Sequence, residues 1–346
     1  MSKFVIIFTR TQDEHSDKVC EILSSLDITP VRVFRDRILD FRFEFWRDSL
    51  LLLTPTGHFD GRKALSVFMR TVPVLSDFGP ASDEEVTTPE GYVALQRASL
   101  FSDWLAALTL HIPFVNDPQT VATVAGKGIQ RHIATRAGLR TPDLYIGEQS
   151  ELATGFLQSL RKRGSSLCSK SISNKAVLLN GQKHIRFTEK LTAEQETRLE
   201  TLDGCPIILQ PYIEKSYELR VTVAGNDIHA CKISSQAAGG GTAIDWRRYN
   251  IPKTPHEPYR LPEFLCSSIL RFHEMCGLHY SAFDFIRGID GEYLFLETNP
   301  YGQWLWIEML TGMKISESVA MLLARGELLS CSTPSKSIKI LAPDQK

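Results

Sequence analysis

Residues 281–304 read SAFDFIRGIDGEYLFLETNPYGQW, two apolar runs joined by Asp290 and Gly291. An Asp-Gly pair between alternating runs is typical of a two-residue β-hairpin turn. That turn would place Asp284 directly opposite Glu297, with facing side chains about 5 Å apart. A three-residue loop would break this pairing.

The returning strand alternates so that oxygen-bearing side chains share one face. Successive strand residues point to opposite faces, which predicts one face with Leu294, Leu296 and Thr298 and another with Phe295, Glu297 and Asn299. Facing like charges destabilise a hairpin unless something compensates them. A cation bound between them would do so.

We predict that Asp284, Glu297 and Asn299 hold a metal ion. Carboxylate and amide oxygens, with no His or Cys nearby, suit Mg²⁺, which proteins usually bind with one or two carboxylates and substrate phosphates. A phosphorylated ligand is therefore implied as well. The alternative is that the carboxylates are solvated strand ends, or that they pair with an arginine, namely Arg220, Arg247 or Arg287.

Composition and charge argue against several classes of protein. The chain has 346 residues, 43% hydrophobic and 23% charged, which predicts a folded protein of two or three domains. Its net charge of −1 predicts no nucleic-acid partner and no membrane partner. Seven scattered cysteines without a Cys-x-x-Cys pair indicate reduced thiols, no zinc site and a cytoplasmic location. No apolar run approaches the roughly 20 residues of a membrane span.

The N-terminal part predicts a small α/β domain with a parallel sheet, because it opens in β-α-β order. The predicted elements are strands over 3–9 and 30–34, helices over 13–26 and 89–110, a hairpin over 41–53 and a loop over 78–88. A boundary is expected near 111–118, where Pro113 and Pro118 bracket a turn.

The remainder alternates helices and strands before it reaches the hairpin. Helices are predicted over 121–137, 151–162 and 261–276, and strands near 145 and over 166–170, 176–179, 184–187, 206–213, 217–224 and 228–234. The segment 236–250 contains three consecutive glycines and predicts a mobile loop that closes as a lid.

The hairpin and its continuation carry a family resemblance. The run DFIRGIDGEYLFLETNP at 284–300 resembles the metal-binding hairpin of ATP-grasp ligases, an Asp followed by Glu-x-Asn on the returning strand. The run GQWLWIE at 302–308, together with DWRRYN at 245–250, resembles the graspetide (microviridin-type) synthetases. Those ATP-grasp enzymes crosslink side chains of ribosomally made precursor peptides.

The resemblance implies an α/β (α+β) fold with several units. These are an N-terminal pre-ATP-grasp domain over 1–113, a two-lobed ATP-grasp fold with a central or small subdomain over 114–205 and a C-terminal subdomain over 206–332, and a flexible tail over 333–346. It also implies a homodimer that binds ATP, Mg²⁺ and a precursor peptide with leader and core.

Nucleotide contacts follow residue by residue. The resemblance implies that Lys127 and Lys170 lie at the phosphates of ATP, a task that suits lysine point charges. It places the adenine edge at the backbone of Gln210, Pro211, Tyr212 and Ile213, and the ribose at Glu218. Without the resemblance, both lysines would be surface residues and Glu218 half of a surface ion pair.

The same resemblance implies the catalytic residues. Arg220 shares a strand face with Glu218 and would reach the γ-phosphate or the acyl phosphate. Lys232 joins this face in one of the two registers that the turn at 224–227 allows, and the sequence leaves the choice open. Asp245 and Arg247 match an Asp-x-Arg motif whose arginine would hold a peptide carboxylate through paired hydrogen bonds.

Two segments depart from the family pattern. SISNKAVLLNG at 171–181 stands where ATP-grasp enzymes commonly have a glycine-rich phosphate loop, and FMRT at 68–71 has Thr71 where relatives often have a second arginine. These departures leave the phosphate cover and any leader contact near Thr71 undetermined.

The predicted activity is a two-step ligation. ATP phosphorylates an Asp or Glu carboxylate of the peptide, and a Thr or Ser hydroxyl or a Lys amine of the same peptide then attacks the acyl phosphate, giving a lactone or lactam. One alternative is an ATP-grasp ligase that joins amino acids or extends a protein tail. Another is a regulatory protein that binds nucleotide without chemistry.

Overall fold

The computed structural model describes residues 3–80, 88–172, 177–184, 188–202, 204–238 and 254–326. The N-terminal part contains a parallel sheet of strand order β2-β1-β6-β7 and an antiparallel sheet of order β3-β4-β5. The elements are β1 (Lys3–Thr9), α1 (Glu14–Ser25), β2 (Ile28–Phe34), β3 (Arg42–Trp46), β4 (Ser49–Thr54), β5 (Gly57–Asp60), β6 (Val67–Met69), α2 (Pro89–Thr109) and β7 (Phe114–Val115). The predicted β-α-β opening and parallel pairing are confirmed.

Strand β1 is buried on both faces, as parallel strands usually are. Ile6 and Phe8 pack in one core with Trp104 of α2, whereas Val5 and Ile7 pack in another core with Trp304. The second core joins the N-terminal sheet to the C-terminal part of the chain, so the two are packed as one body.

The central part carries a four-stranded sheet of order β12-β9-β13-β8. Its elements are α3 (Pro118–Val124), α4 (Lys127–Ala137), β8 (Tyr145–Gly147), α5 (Ser150–Arg161), β9 (Leu167–Lys170), β10 (Val177–Leu179), β11 (Gln182–His184), β12 (Glu189–Lys190), α6 (Ala193–Thr197) and β13 (Ile207–Pro211). The single helix predicted over 121–137 is two helices, with Gly126 as the N-cap of α4. That break makes Lys127 the first residue of α4.

The C-terminal part is an antiparallel sheet of order β16-β15-β14-β17-β18. Its elements are β14 (Lys215–Ala224), β15 (Asp227–Ile233), α7 (Ser235–Ala238), β16 (His256–Pro258), α8 (Glu263–Cys276), β17 (Tyr280–Gly288), β18 (Tyr293–Asn299), α9 (Leu305–Thr311) and α10 (Ile315–Arg325). One face of this sheet packs against α3, α4 and α8. Part of the other face packs against α10 and the N-terminal sheet.

A buried asparagine ties the chain after β7 to the start of β17. The Asn116 side chain donates to the carbonyl oxygens of Tyr280 (2.7 Å) and Pro300 (3.2 Å), and it accepts the N–H groups of His279 and Tyr280. Since an unpaired buried backbone group costs free energy, this side chain stabilises the place where the hairpin strands begin and end.

The sheets cross the segment limits expected from the sequence. Phe114 pairs with Val67 in the N-terminal sheet, and β13 pairs with β8 and β9 of the central part. The sheets do not follow the predicted domain limits, and these limits stay a prediction. None of the helices in the described ranges combines the length and apolarity that a membrane crossing needs.

Candidate active site

Asp284 and Glu297 face each other across β17 and β18, which confirms the predicted pairing. Asp284 is buried, and the Glu297 side chain is 21% exposed. Asn299 pairs with Ala282 at the end of the same hairpin, and its Oδ1 accepts the N–H of Tyr301 at 2.9 Å. The structure thus brings the three predicted metal ligands to one end of the hairpin.

The turn of this hairpin is longer than predicted. Gly288 N–H donates to the carbonyl of Glu292 (2.9 Å), and Gly291 N–H donates to the carbonyl of Gly288 (3.1 Å). Gly291 has φ +84°, a conformation that glycine adopts without steric cost. The predicted two-residue turn is therefore wrong, and the pairs next to the turn are offset by one residue.

A β-bulge in β18 restores the predicted register. Phe285 pairs with Phe295, whereas the preceding residue, Asp284, pairs with Glu297, so Leu296 is the extra residue. Two residues of the bulged strand then face one residue of its partner. The longer turn and the bulge cancel, and the two carboxylates remain opposite each other.

The bulge also changes which side chains share a face. Phe295 is buried in the core and only borders the cleft, and the Thr298 hydroxyl donates to Ser281 Oγ inside the protein (2.9 Å). Leu296 and Glu297 are both partly exposed and line the cleft. The strict alternation predicted for this strand is therefore wrong, because it would have put Phe295 and Glu297 on the same face.

Arg220 of β14 holds the other side of Asp284. Its Nη1 lies 3.0 and 3.2 Å from the two carboxylate oxygens of Asp284, and its Nη2 donates to the carbonyl of Gln303. Arg220 Nε is buried and has no hydrogen-bond partner among the described residues. A buried donor of this kind carries a desolvation cost that an anionic ligand could offset.

A cleft that is open to solvent separates the hairpin from the sheet that contains β9 and β13. The side chains that matter for ligand chemistry are Lys127, Arg131, Lys170, Gln210, Leu296 and Glu297. Three cations beside a carboxylate, with apolar side chains that include Leu144, Ile208 and Leu296, suit a ligand with both an anionic part and a flat apolar part.

Lys127 bridges the two walls of this cleft. Its Nζ donates to the carbonyl of Ser171 on one side (3.0 Å) and lies 3.7 Å from Glu297 Oε2 on the other. Arg131 lies one turn later on α4 and was not predicted, although a spacing of four residues puts it on the same helix face as Lys127. The structure thus adds one cation to the predicted set.

Glu218 shares the buried environment of Arg220 and is almost inaccessible to solvent. Its Oε1 contacts the Lys215 ammonium closely and accepts the Ser235 hydroxyl at 3.1 Å. Burial raises the pKa of Glu218 to about 7, and the positive charge of Lys215 only partly opposes this. In this arrangement the carboxylate contacts the protein rather than the cleft, so the predicted ribose contact would require a rearrangement.

The predicted adenine-binding segment runs along the end of β13. Gln210 pairs with Cys168 and lines the cleft, and Pro211 pairs with Leu167. Tyr212 N–H donates to the carbonyl of Ser166 at 2.7 Å, so this N–H already has an acceptor. Ile213 follows in the connection to β14, where its main chain stays a predicted nucleotide contact.

Lys232 lies on the opposite face of the sheet from Arg220. It pairs in register with Leu219, and its Nζ contacts Glu257 at 2.7 Å and the ring of Tyr217 at 5.1 Å. Because neighbouring positions on a strand alternate between faces, the register that the structure adopts removes Lys232 from the group around Arg220. The prediction that Lys232 joins the catalytic group is corrected here.

Other predicted positions lie outside the described residues. These are Asp245, Arg247, most of the loop over 236–250, residues 173–176 and 185–187, and the tail over 333–346. The roles assigned to Asp245 and Arg247 therefore stay predictions.

The GQWLWIE run forms the joint between the hairpin and the N-terminal sheet. Trp304 is fully buried, and its backbone N–H donates to His15 Nε2 of α1 (3.2 Å). Glu308 Oε2 accepts both the N–H and the hydroxyl of Ser316 at the start of α10. These side chains hold the framework together, and sequence reasoning did not assign them this role.

Arg70 belongs to the same joint. Its side chain is 8% exposed, lies over the ring of Trp304 at 5.0 Å and reaches Asp13 at 3.3 Å. The neighbouring Thr71 hydroxyl is buried without a hydrogen-bond partner among the described residues. Arg70 is therefore enclosed by the protein, and the structure offers no accessible arginine pair at this position.

The donor chemistry of the hairpin fits a hard cation. In the described part of the chain, no group of three or more His, Cys, Asp or Glu side chains could hold a metal. Two carboxylates and one amide, from Asp284, Glu297 and Asn299, are a set that Mg²⁺ accepts when substrate phosphates complete its ligands. Arg220 and Lys127 now neutralise these carboxylates, as expected where a charge must be compensated.

Comparisons with solved structures show the same fold over nearly the whole chain. A RiPP-associated ATP-grasp ligase from Chryseobacterium gregarium, in complex with ADP and a leader and core peptide, matches with TM-score 0.80 and 25% identity, covering 93% of this chain and 96% of that chain. The macrocyclase MdnC from Microcystis aeruginosa MRC, bound to precursor peptide MdnA, matches with TM-score 0.78 and 23% identity, covering 94% and 100%. The ATP-grasp ligase PsnB, complexed with minimal precursor, Mg and ADP, matches with TM-score 0.72 and 19% identity, covering 93% and 97%.

No family model and no curated protein matches the chain. The likeness therefore rests on the structure, on the facing carboxylates of the hairpin and on the cationic cleft beside them. On these grounds the chain is an ATP-dependent ligase of the ATP-grasp superfamily, and its fold is that of the RiPP-associated ATP-grasp ligases.

Proposed function

We propose that this ligase crosslinks side chains of a ribosomally made precursor peptide, with ATP as the energy source and Mg²⁺ as the metal. The observation that carries the proposal is the pair Asp284 and Glu297, which face each other beside a cleft lined by Lys127, Lys170 and Arg131. The solved structures with this fold include enzymes bound to precursor peptides, which supports the choice of substrate.

The cations of the cleft would bind and orient ATP. Lys127 and Lys170 suit the phosphates as point charges, and Leu296 offers an apolar surface beside them. The oxygens of Asp284, Glu297 and Asn299 would hold Mg²⁺, which supplies charge neutralisation between phosphate groups. Charge stabilisation and positioning are the main contributions of a protein to phosphoryl transfer.

In the first step, an Asp or Glu carboxylate of the peptide attacks the γ-phosphorus, and the bond to the oxygen of ADP breaks. Arg220 can stabilise the phosphoryl oxygens of the resulting acyl phosphate, because its buried Nε has no acceptor within the part of the chain that the structure describes. In the second step, a Thr or Ser hydroxyl, or a Lys amine, attacks the acyl carbon. Its proton is lost, phosphate leaves, and a lactone or lactam remains.

In this proposal, Asp245 and Arg247 bind the peptide substrate. An arginine holds a carboxylate through two parallel hydrogen bonds, which would present the peptide carboxylate to ATP. We therefore expect Arg247→Ala to lose peptide phosphorylation while nucleotide affinity is retained. Equal losses in both measurements would remove Arg247 from this role. The family resemblance further implies a homodimer, and the scattered cysteines indicate the cytoplasm.

Mass spectrometry of candidate peptides tests the proposal. The enzyme, incubated with ATP, Mg²⁺ and a peptide that carries a leader and a Thr- and Glu-rich core, should remove one water mass for each bond formed. Glu297→Gln should abolish this dehydration. The matched control is Glu292→Gln, the same change at the exposed tip of the hairpin, which should leave dehydration unchanged.

One rival activity on this fold needs separation. A D-cycloserine synthetase, DcsG, shares this fold with TM-score 0.53 and 13% identity. If the chain joined amino acids or extended a protein tail, the product would gain the mass of the added unit. A mass gain would therefore reject internal crosslinking and favour the rival.

A further inference from the structure

Gln130 of α4 holds the backbone of the hairpin between two predicted metal ligands. Its Oε1 accepts the N–H of Thr298 (3.0 Å), and its Nε2 donates to the carbonyl of Thr298 (2.9 Å). Thr298 separates Glu297 from Asn299 in the sequence. The side-chain amide thus satisfies both backbone groups of one residue, as a neighbouring strand would.

Among the described residues, no strand pairs with the outer side of β18, and Gln130 occupies that position. Strand β18 is at the edge of its five-stranded sheet, so its outer N–H and C=O groups need other partners. Phe295 N–H donates to the carbonyl of Arg140 (2.8 Å), and the next outward-facing residue is Thr298. In a regular strand that residue would be Glu297, since outward groups recur every second residue.

The position of the Gln130 amide therefore matches the backbone of β18 when it contains the bulge, and would not match a regular strand. Without the bulge, its amide would meet the backbone of Glu297, and the pairing of Asp284 would shift by one residue. Gln130 itself is fixed, because it is buried and its Nε2 also donates to the carbonyl of Val124 (2.9 Å). The Thr298 hydroxyl is fixed independently by Ser281 (2.9 Å).

We infer that Gln130 is a positioning residue that selects the bulged register of β18 and so sets the direction of Glu297 and Asn299 toward the metal. The inference rests on the proposed metal site, and it deepens that proposal. Lys127 lies one turn earlier on α4 and is 3.7 Å from Glu297. One helix thus positions both a phosphate-binding cation and the backbone of the ligand strand.

The test compares Gln130→Met, which keeps the length of the side chain and removes its hydrogen bonds, with Gln119→Met, the same change at an exposed position of α3. Amide hydrogen exchange of the metal-free protein is measured over β18. Affinity is then measured for Mn²⁺·ADP, and for ADP alone in the presence of a chelator. No peptide is needed, so the result does not depend on the substrate.

For Gln130→Met we expect faster exchange at Thr298 and roughly tenfold weaker Mn²⁺·ADP binding, the size seen when a group that orients metal ligands is removed. Binding of metal-free ADP should not change. Gln119→Met should match the wild type in all three. If both affinities fall equally, or if metal-dependent binding is retained, the inference is wrong.

Two further variants keep the outcomes separate. Should Gln130→Met fail to fold, Gln130→Glu decides, because it can accept the Thr298 N–H but cannot donate to the two carbonyls. It should show an intermediate loss of Mn²⁺·ADP affinity, and full affinity would reject the inference. Glu297→Gln reports on the metal site itself. If that variant also keeps its affinity, the proposed metal site fails, whereas a loss in Glu297→Gln alone overturns only the role of Gln130.

Discussion

Arg220 Nη1 lies within 3.2 Å of both carboxylate oxygens of Asp284, and both side chains are largely buried. The pair couples β14 to β17 and brings a cation next to a predicted metal ligand. In a buried pair, each charge compensates the desolvation of the other. When nucleotide and metal bind, the metal ion would take over part of the charge neutralisation that Arg220 gives to Asp284.

Arg220→Met should therefore destabilise the ligand-free protein more than the ligand-bound one. Arg220 contacts both carboxylate oxygens of the buried Asp284, and removing one partner of a buried pair typically costs about 3–5 kcal/mol. Urea unfolding with and without Mg²⁺·ADP measures the difference, since bound metal can replace the lost charge. Adding Asp284→Asn to Arg220→Met should recover part of the stability, and strictly additive losses would contradict a direct coupling.

Gly302→Ala should displace the Arg220 side chain without changing that residue itself. A Cβ at Gly302 would overlap the Cβ of Ala282 and lie 3.0 Å from Arg220 Nη2. Overpacking of this kind costs about 1–3 kcal/mol, and displacement of a catalytic group can lower turnover by up to about 100-fold. Thermal unfolding and peptide dehydration measure the two effects.

The control for that change is Gly155→Ala in α5, where a new Cβ meets no atom within 4 Å. This substitution should stabilise the protein by about 0.5–1 kcal/mol, because alanine favours a helix. Similar losses in both glycine variants would contradict the close approach at Gly302.

The existence of the hairpin was predictable because its signals are local. Alternating runs on either side of Asp290 and Gly291 indicated two paired strands. The predicted two-residue turn was wrong, and Asp284 faces Glu297 because the bulge at Leu296 offsets the longer turn. The bulge at Leu296 was not predictable, since it depends on Gln130, which comes from a helix far away in the sequence. The correct pairing thus came with an incorrect alternation.

Tertiary contacts decide the other differences. The face of Lys232 depends on how the turn at 224–227 closes, and both registers fit the sequence; the structure pairs Lys232 with Leu219. The burial of Glu218 depends on Ser235, which α7 brings over it. From the sequence, His15 would be a surface residue of α1. In the structure, its imidazole accepts the backbone N–H of Trp304.

Lys232→Met and Lys170→Met should separate a lysine outside the cleft from a lysine that lines it. Lys232 contacts Glu257 near the surface, and such pairs contribute little, so dehydration activity should stay within about twofold of the wild type. Lys170 lines the cleft, and its removal should lower turnover by at least about 100-fold, as for other charge-stabilising donors. Steady-state dehydration assays measure both. Comparable losses would return Lys232 to the catalytic group.

Glu218→Gln should change how stability depends on pH. Burial raises the pKa of Glu218 from 4.5 to about 7 in the folded protein. Between these values the folded state binds more protons than the unfolded state, so the free energy of unfolding falls as pH rises and levels off above pH 7. For a shift of this size the loss is up to about 3 kcal/mol.

The Gln variant takes up no proton at this position, so its free energy of unfolding should fall less between pH 4.5 and 7 than that of the wild type. Its absolute stability is not the readout, because the change also removes the ion pair between Glu218 and the buried Lys215. Urea unfolding across this pH range measures both slopes. Parallel curves would show that Glu218 is already ionised in the folded protein and that its contact with Lys215, rather than burial, controls its charge.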